Sequence, residues 1–348
     1  MYFNEIVLAA AEAGASDVHI CVGACPKFRI HGELEDTDFP AVTAASSLEM
    51  LISLMSPEQR EKFEEHGELD LSASIEETGR CRVNAYKQKG GITMAVRLMD
   101  REVPKAADLG VPQKVLEALD CRRGLVMVTG LAGCGKSTVL SSLVDYINET
   151  RALNIITLED PIEYLHVHKR SIVNQREIGL DAPNYVSALK SAMRQDPDVL
   201  QVSRIVTAKE ASLVLTSVEM GRLLLTASYA ECASEAIRSF VCLFPENERE
   251  EARIRLSNVI SVVLSRKLLH VEGYGESQET QSGEECHAHK VLPVCELFIA
   301  NSQGREAIRN GRFSDLDSII ENGRSEGMFS MESSLKALKE KGIILSEL

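Results

Sequence analysis

Helical and strand-like spacings of apolar residues alternate in the first hundred positions of the chain. A first helix, which Gly14 can end, is predicted from apolar residues that recur on one face: Phe3, Ile6, Val7 and Ala10. Strand-like segments follow at 17–20, 27–30 and 80–86. Helical periodicity from Leu48 to Phe63 contains Ser56-Pro57-Glu58-Gln59, which favours the start of a second helix. These elements predict a small mixed α/β domain.

The rest of the chain alternates aliphatic runs with helical periodicity. The aliphatic runs fall at 124–129, 154–158, 199–202 and 222–226. Continuous aliphatic strands separated by helices are typical of a parallel sheet that is covered on both faces. A polar stretch at 272–289 predicts a mobile hairpin loop, and helical patterns follow it at 304–310 and 330–341.

The segment from Asp100 to Lys105 is charged and contains Pro104, which is typical of a linker. A chain of 348 residues has room for about two domains. We therefore predict a first domain over 1–99, a linker over 100–112 and a second α/β domain over 113–348.

The bulk composition argues against several classes of protein. Hydrophobic residues make up 44% of the chain and charged residues 26%, as in ordinary globular proteins. The formal net charge of −14 argues against a dedicated nucleic-acid binder, because binding phosphate backbones needs a basic face. No apolar run approaches the roughly 18–20 residues of a membrane span, and the first residues lack the cationic region of a secretory signal.

The nine cysteines are scattered without short paired spacings, which is typical of reduced thiols in a cytosolic protein. One group of possible metal ligands leaves two interpretations open: Cys286, His287 and His289, with Cys295 soon after. The first is a zinc site. The second, a polar loop with incidental ligand-type residues, is favoured because no C-x-x-C pair accompanies the group.

A phosphate-binding loop is the clearest chemical signal. It has the form G-x-x-x-x-G-K-[ST], follows an aliphatic run and opens into a helical pattern. In this motif backbone N–H groups surround a phosphate, Lys136 reaches the β and γ oxygens, and the Ser137 hydroxyl ligates Mg²⁺. The alternative is a glycine-rich turn with a surface lysine. The predicted nucleotide-binding residues are Gly130, Gly133, Cys134, Gly135, Lys136, Ser137 and Thr138.

Three carboxylates follow the predicted strand at 154–158: Glu159, Asp160 and Glu163. Ligands of open parallel sheets bind at the carboxyl ends of the strands. These acids are therefore candidates to face Mg²⁺ and the γ-phosphate of ATP. Taken alone, an acidic turn is also typical of a solvated strand end.

The order of motifs resembles the secretion ATPase superfamily, and within it the type IV pilus retraction ATPases, or twitching-motility PilT group. The resemblance covers nearly the whole chain. The segments that carry it are Gly14-Ala15-Ser16-Asp17-Val18-His19, Arg80 to Ala85, Leu158-Glu159-Asp160-Pro161-Ile162-Glu163, Ala307-Ile308-Arg309-Asn310 and Glu326-Gly327-Met328. The resemblance implies a PAS-like first domain and a RecA-like second domain. The four-cysteine motif of the related extension ATPases is absent from the sequence, which favours the retraction type.

The resemblance also implies roles and partners. Glu163 would activate water, and ATP with Mg²⁺ would bind at a subunit interface of a ring, which is expected to be a hexamer. Three arginines would reach a neighbouring subunit's nucleotide: Arg80, Arg82 and Arg97. Gly90 stands where the family has a further arginine, and a charged strand face is the alternative for the other three. The ring would lie at the cytoplasmic side of the inner membrane, on a pilus platform protein.

Two positions depart from the family pattern. Arg204 replaces the Walker B glutamate, and Tyr229 replaces the histidine of the His box. A guanidinium would oppose Mg²⁺, since two like unit charges about 4 Å apart cost roughly 4 kcal/mol at an effective dielectric of about 20. Loss of a positioned base or water-orienting group typically costs about 10²–10⁴ in rate. We therefore expect ATP binding with weak hydrolysis.

Two functional hypotheses fit the motifs, and a third fits less well. In the first, the chain is an ATP-driven motor subunit of pilus disassembly and twitching motility; in a variant of it, Arg204 acts as an arginine finger, and Glu159 or Asp160 substitutes near the metal. In the second, the chain is a hydrolysis-deficient pseudo-ATPase that binds nucleotide and modulates an active paralogue. A kinase or transporter ATPase fits less well, because it leaves the PAS-like opening and the acidic segment unexplained.

Overall fold

The computed structural model describes residues 2–30, 32–75, 79–99, 102–271, 278–279, 285–286, 290–340 and 343. Contacts divide the chain into two units. The first unit is Met1–Val103 with Pro161–Leu165, and the second is Pro104–Asp160 with His166–Leu348. A five-residue segment from the middle of the chain therefore packs with the first unit.

The described residues of the first unit form three helices and six strands. In chain order they are α1 (Phe3–Glu12), β1 (Asp17–Ile20), β2 (Lys27–Ile30), β3 (Glu33–Asp36), α2 (Ala44–Leu54), α3 (Pro57–His66), β4 (Glu68–Ile75), β5 (Gly79–Gln88) and β6 (Gly91–Leu98).

These six strands form one antiparallel sheet in the order β3-β2-β1-β6-β5-β4. Alternate residues of β5 are buried in a core that the helices cover, while Arg82 on the other face is exposed. Helix α3 begins where the sequence predicts, because Ser56 and Gln59 satisfy each other's backbone N–H groups. The first unit is therefore a sheet whose outer face carries charge.

The second unit contains nine helices and nine strands within its described residues, besides two short 3₁₀ turns. In chain order they are α4 (Gln113–Leu119), β7 (Gly124–Thr129), α5 (Lys136–Thr150), β8 (Asn154–Glu159), β9 (Ile172–Glu177), α6 (Tyr185–Ala192), β10 (Val199–Val202), α7 (Ala208–Glu219), β11 (Leu223–Ser228), α8 (Ala233–Cys242), α9 (Arg249–Val259), β12 (Ile260–Val271), β13 (Gln278–Glu279), β14 (Glu285–Cys286), β15 (Lys290–Ile299), α10 (Ser302–Arg309), α11 (Asp315–Asn322) and α12 (Met331–Glu340).

The main sheet of the second unit has the order β15-β12-β7-β11-β10-β8-β9. Its neighbours are parallel except for β15, which pairs antiparallel with β12. Apolar side chains fill both faces, with α4 and α5 on one face and α6 to α11 on the other. Parallel strands end at the same edge of a sheet, so β7, β8, β10 and β11 bring the segments after them together.

The predicted fold class is confirmed: the chain is α/β, and the second unit has a mostly parallel sheet. All four aliphatic runs of the second domain are strands, and the runs at 17–20, 27–30 and 80–86 lie within β1, β2 and β5. Several strands were not predicted. Among them, β3 and β9 are sheet edges whose side chains are mostly charged or polar, so they lack the aliphatic signal.

The stretch predicted as a linker, 100–112, is partly packed. The unit boundary lies between Val103 and Pro104, and Ala106 and Val111 are buried in the core around α5. Most of the predicted hairpin loop, at 272–277, 280–284 and 287–289, lies outside the described residues. None of the helices in the described part of the chain has the length and apolar character that a membrane span requires.

Leu143 tests how far the core around α5 supports the second unit. This side chain is fully buried, so Leu143→Ala should lower the free energy of unfolding by about 2–5 kcal/mol through lost contacts and a cavity. Leu180→Ala is the matched control, because Leu180 is exposed and should change it by about 0.5 kcal/mol or less. Urea unfolding followed by circular dichroism measures both. Equal losses would contradict this account of the core.

Candidate nucleotide-binding site

The phosphate-binding loop connects the end of β7 to the start of α5. Gly135 is the N-cap of α5 and has φ of 81°, while Gly133 has φ of 79°. These values lie in the left-handed region that glycine adopts without steric cost. Ser137 and Thr138 follow Lys136 in the first turn of α5, where backbone N–H groups are free to bind an anion.

Gly130 is where the loop meets the neighbouring strand. A Cβ atom on Gly130 would stand 2.3 Å from the carbonyl oxygen of Arg266 in β12 and 2.4 Å from Sγ of Cys134. Its φ of 153° adds a second restriction. Glycine at this position therefore permits a close backbone approach that holds the loop against the sheet.

Lys136 is buried, with 7% of its surface exposed. Its Nζ donates hydrogen bonds to the carbonyl oxygens of Gly130 and Leu131, each at 2.8 Å. Burial lowers the pKa of this ammonium. No carboxylate in the described part of the chain forms an ion pair with it. The loop thus holds a desolvated cation with carbonyl dipoles instead of an opposite charge.

Tyr229 lies over this lysine. Nζ of Lys136 is 4.2 Å from the centre of the Tyr229 ring, which is the geometry of a cation–π contact. The hydroxyl of Thr129 donates to the Ala230 carbonyl at 2.7 Å and accepts from the Ala230 N–H at 3.1 Å, which ties the segment after β11 to the end of β7. The Tyr229 ring is therefore held beside the Lys136 ammonium.

Glu159 ends β8 and is buried. Its Oε1 accepts hydrogen bonds from the Thr157 hydroxyl at 2.6 Å and from Nε2 of Gln175 at 3.0 Å. Glu159 is therefore held in place at the carboxyl edge of the sheet, where a metal ligand is expected.

Asp160 and Arg204 form an ion pair. Nη2 of Arg204 is 2.5 Å from Oδ2 of Asp160 across 44 residues of sequence, and both side chains are partly exposed. Next to them, burial raises the pKa of the Tyr185 phenol, and the Asp160 carboxylate adds to the shift. The guanidinium that was expected to oppose Mg²⁺ is thus partly neutralised, and the carboxylate that neutralises it is itself one of the predicted metal ligands.

The three candidate arginines lie in the first unit, on the outer face of β5 and β6. Arg82 is 3.7 Å from Asp70, and Arg97 is 3.0 Å from Asp17. Arg82 and Arg97 line a cavity of about 540 Å³ together with Glu163, whose segment packs with this unit. Arg80 is two residues from Arg82 on the same face.

Gly90 belongs to the two-residue turn between β5 and β6. Both turn residues have positive φ, 46° for Lys89 and 77° for Gly90. This is the pattern of a type I′ hairpin turn, which favours glycine. The turn geometry explains why glycine, and not an arginine, is suited to this position.

One residue beside the loop was not predicted. Arg266 in β12 is buried, and a Cβ on Gly135 would stand 3.8 Å from its Nε. The only signal in the sequence is an arginine two positions beyond the aliphatic run that ends at Leu264. Of the possible zinc ligands, His287, His289 and the side chain of Cys286 lie outside the described residues. Within the described residues, no group of three or more His, Cys, Asp or Glu side chains could hold a metal ion.

Comparison with known proteins places these features in a family. The family described as Type II/IV secretion system protein matches residues 1–347. The type IV pilus retraction ATPase PilT of Pseudomonas aeruginosa is 33% identical over 347 residues, which cover 100% of this chain and 96% of the relative. A twitching motility protein of Neisseria gonorrhoeae is 32% identical over 323 residues, 92% of this chain and 82% of the relative. A crystal structure of the pilus retraction motor PilT with bound ADP has a TM-score of 0.89 and 36% identity, and covers 100% of this chain and 95% of its own.

Gly130 and Gly133 provide a matched test of the loop. Gly130→Ala should lower the free energy of unfolding by about 2 kcal/mol or more, because its methyl group would meet a backbone carbonyl oxygen. Gly133→Ala should cost only about 1 kcal/mol, because its methyl group meets nothing within 4 Å and only the left-handed φ is unfavourable. Chemical unfolding of the two variants measures the difference. Losses of the same size would show that the contact with β12 does not hold the loop.

Proposed function

The chain belongs to the type II/IV secretion system protein family, in its group of pilus retraction ATPases, and on that premise we propose that it is a nucleotide-binding ring subunit that acts in pilus retraction and twitching motility. The observation that carries the proposal is the buried Lys136 in a complete phosphate loop at the start of α5.

The donor set of the loop suits the phosphates of ATP or ADP. Lys136 is a buried cation without a carboxylate partner among the described residues, and the helix N-terminus adds backbone N–H groups. A polyphosphate anion would offset the cost of burying that charge. The full set of proposed nucleotide-binding residues is Gly130, Gly133, Cys134, Gly135, Lys136, Ser137 and Thr138.

The proposed metal ligands fit Mg²⁺ in part. Ser137 supplies a hydroxyl oxygen in the first turn of α5, and Glu159 a buried carboxylate at the edge of the sheet. Asp160 is engaged by Arg204, so it is available only if that pair opens. Bound Mg²⁺ would neutralise charge on the β- and γ-phosphates of ATP. Glu163 is proposed to activate water, because it stands at the position of the catalytic glutamate in the family's acidic motif.

The proposed ring follows from the arginines of the first unit. Arg82 and Arg97 are partly exposed on one face and line a cavity that also holds the carboxylates of three acidic residues, Asp17, Asp70 and Glu163. An anionic group of a second subunit would compete with these carboxylates for the two guanidinium groups. Arg80 lies on the same face. From the resemblance to the family we further propose that the ring is a hexamer that docks on a pilus platform protein at the cytoplasmic face of the inner membrane.

A second candidate function is a pseudo-ATPase that binds nucleotide and modulates an active paralogue. Two observations favour it. Arg204 pairs with Asp160 where an acid would help to hold hydrated Mg²⁺, and the Tyr229 ring contacts Lys136 where a histidine would sense the γ-phosphate. Binding depends on the loop and hydrolysis on these side chains, so binding without efficient turnover is chemically consistent.

Lys136 tests nucleotide binding. Lys136→Ala should abolish measurable binding of ADP and of Mg²⁺-ATP, because it removes the buried cation that faces the phosphates. Lys114→Ala is the control, since Lys114 is exposed and, in the described structure, forms its ion pair with Glu117 in α4. Isothermal titration calorimetry measures both. Absence of nucleotide affinity in the unmodified chain would refute the proposed function.

Arg204 and Tyr229 test the cause of weak hydrolysis. The unmodified chain should hydrolyse ATP slowly, and Arg204→Glu with Tyr229→His should raise turnover by roughly tenfold or more, because an acid and a histidine return to the site. Arg204→Glu also places a second carboxylate beside that of Asp160, so Mg²⁺ should stabilise this variant more than the unmodified chain. Phosphate release and Mg²⁺ titration measure these effects. Rapid turnover by the unmodified chain, or no gain by the folded double variant, would contradict this explanation.

A further inference from the structure

A second buried cation lies beside the phosphate loop. Arg266 is on β12, and 5% of its surface is exposed. It shares a face of the strand with Val262 and Leu264, which pack in the core around α5. Its Nη1 donates to the Leu109 carbonyl oxygen at 2.5 Å, whereas Nε is buried without a hydrogen-bond partner among the described residues.

The guanidinium of Arg266 faces the residue that caps α5. A Cβ on Gly135 would stand 3.8 Å from Arg266 Nε and 4.0 Å from Nη2. Apart from the two chain neighbours of Gly135 and the backbone of its helix, these are the nearest atoms to that position in the described chain. The carbonyl oxygen of Arg266 also approaches Gly130. Arg266 therefore lies beside the phosphate loop near both of its ends.

Among the described residues, no opposite charge pairs with this one. No carboxylate in the described chain forms an ion pair with Arg266. Burial lowers the pKa of its guanidinium, and the groups that oppose this shift are the thiols of Cys295 and Cys134. The positive end of the α5 dipole, at Gly135, repels it. A buried cation in such surroundings is unfavourable until an anion arrives.

We propose that Arg266 is a positioning residue of the phosphate loop, and that its guanidinium acts across Gly135 to strengthen the binding of a polyphosphate. The inference rests on the proposed nucleotide binding and deepens it. The ligand class is a pyrophosphate group, free or within ADP or ATP, because the interaction concerns charge on the phosphates. One such interaction at an effective dielectric of about 20 corresponds to a change in Kd on the order of tenfold.

The test uses the full chain with ADP and with inorganic pyrophosphate as probes. The variants are Arg266→Gln, which removes the charge, and Arg266→Lys, which keeps it. Arg151→Gln is the matched control. Arg151 also donates from Nη1 to a backbone carbonyl oxygen at 2.5 Å, but it is the C-cap of α5, so the 15 residues of the helix separate it from the loop by roughly 20 Å.

Calorimetry should show that Arg266→Gln raises the Kd of ADP and of pyrophosphate on the order of tenfold, with a weaker dependence on salt. Arg266→Lys should retain most of the affinity, and Arg151→Gln should leave it unchanged. Without ligand, Arg266→Gln should have a Tm no lower than that of the unmodified chain, because an uncompensated buried charge is gone. Pyrophosphate should then raise the Tm of the variant less than that of the unmodified chain.

Several outcomes would overturn the inference. If the unmodified chain binds ADP and Arg266→Gln binds it equally well, the inference fails while the proposed function stands. If Arg266→Lys loses as much affinity as Arg266→Gln, or if Arg266→Gln lowers the Tm without ligand, the residue is structural. The same holds if both Arg266→Gln and Arg266→Met fail to fold. If the unmodified chain binds neither ADP nor pyrophosphate, the inference and the proposed function fail together.

Discussion

The Lys136 ammonium is buried without an ion-pair partner in the part of the chain that the structure describes, and this is the constraint on which the proposed site depends. Removal of an ion from water is costly, so the surroundings must replace its hydration. Two backbone carbonyl oxygens and the face of Tyr229 do so here, and none of them carries a full negative charge. The close approach at Gly130 positions one of those carbonyl oxygens, so it helps to stabilise the Lys136 charge as well as to set the shape of the loop.

The proposed site separates two properties that an ATPase normally joins. Phosphate binding would depend on the loop and the start of α5, whose motif is complete. Metal positioning and the response to a γ-phosphate would depend on the ends of β8, β10 and β11, where Arg204 pairs with Asp160 and the Tyr229 ring lies over Lys136. Because these elements are neighbours in one sheet, a few side chains can change hydrolysis while the fold and the loop remain as in an active relative.

The sequence predicted the parts of the molecule that local rules determine. Buried parallel strands are continuous aliphatic runs, and the loop is a short motif. The capping box at Ser56 predicts the start of α3. The edge strand β9 was missed because an edge needs little hydrophobicity, and no pattern announced that Asp160 would meet Arg204. Arg266 was missed for the same reason, since it lies 130 positions beyond Lys136 and only the pairing of β12 with β7 brings it to the loop. Contacts that depend on tertiary pairing are not encoded in local periodicity.

The segment Pro161–Leu165 has a consequence for how the chain can be divided. It packs with the first unit although residues on both sides of it pack with the second, so the polypeptide crosses between the units at three places instead of one. A fragment cut at Val103 would lack the buried side chains of Ile162 and Tyr164, and the complementary fragment would expose them to solvent. A single crossover between the genes of two relatives therefore cannot exchange either unit intact. A crossover at Val103 would separate Glu163 from the first unit, with which its segment packs, and leave it joined to the second unit.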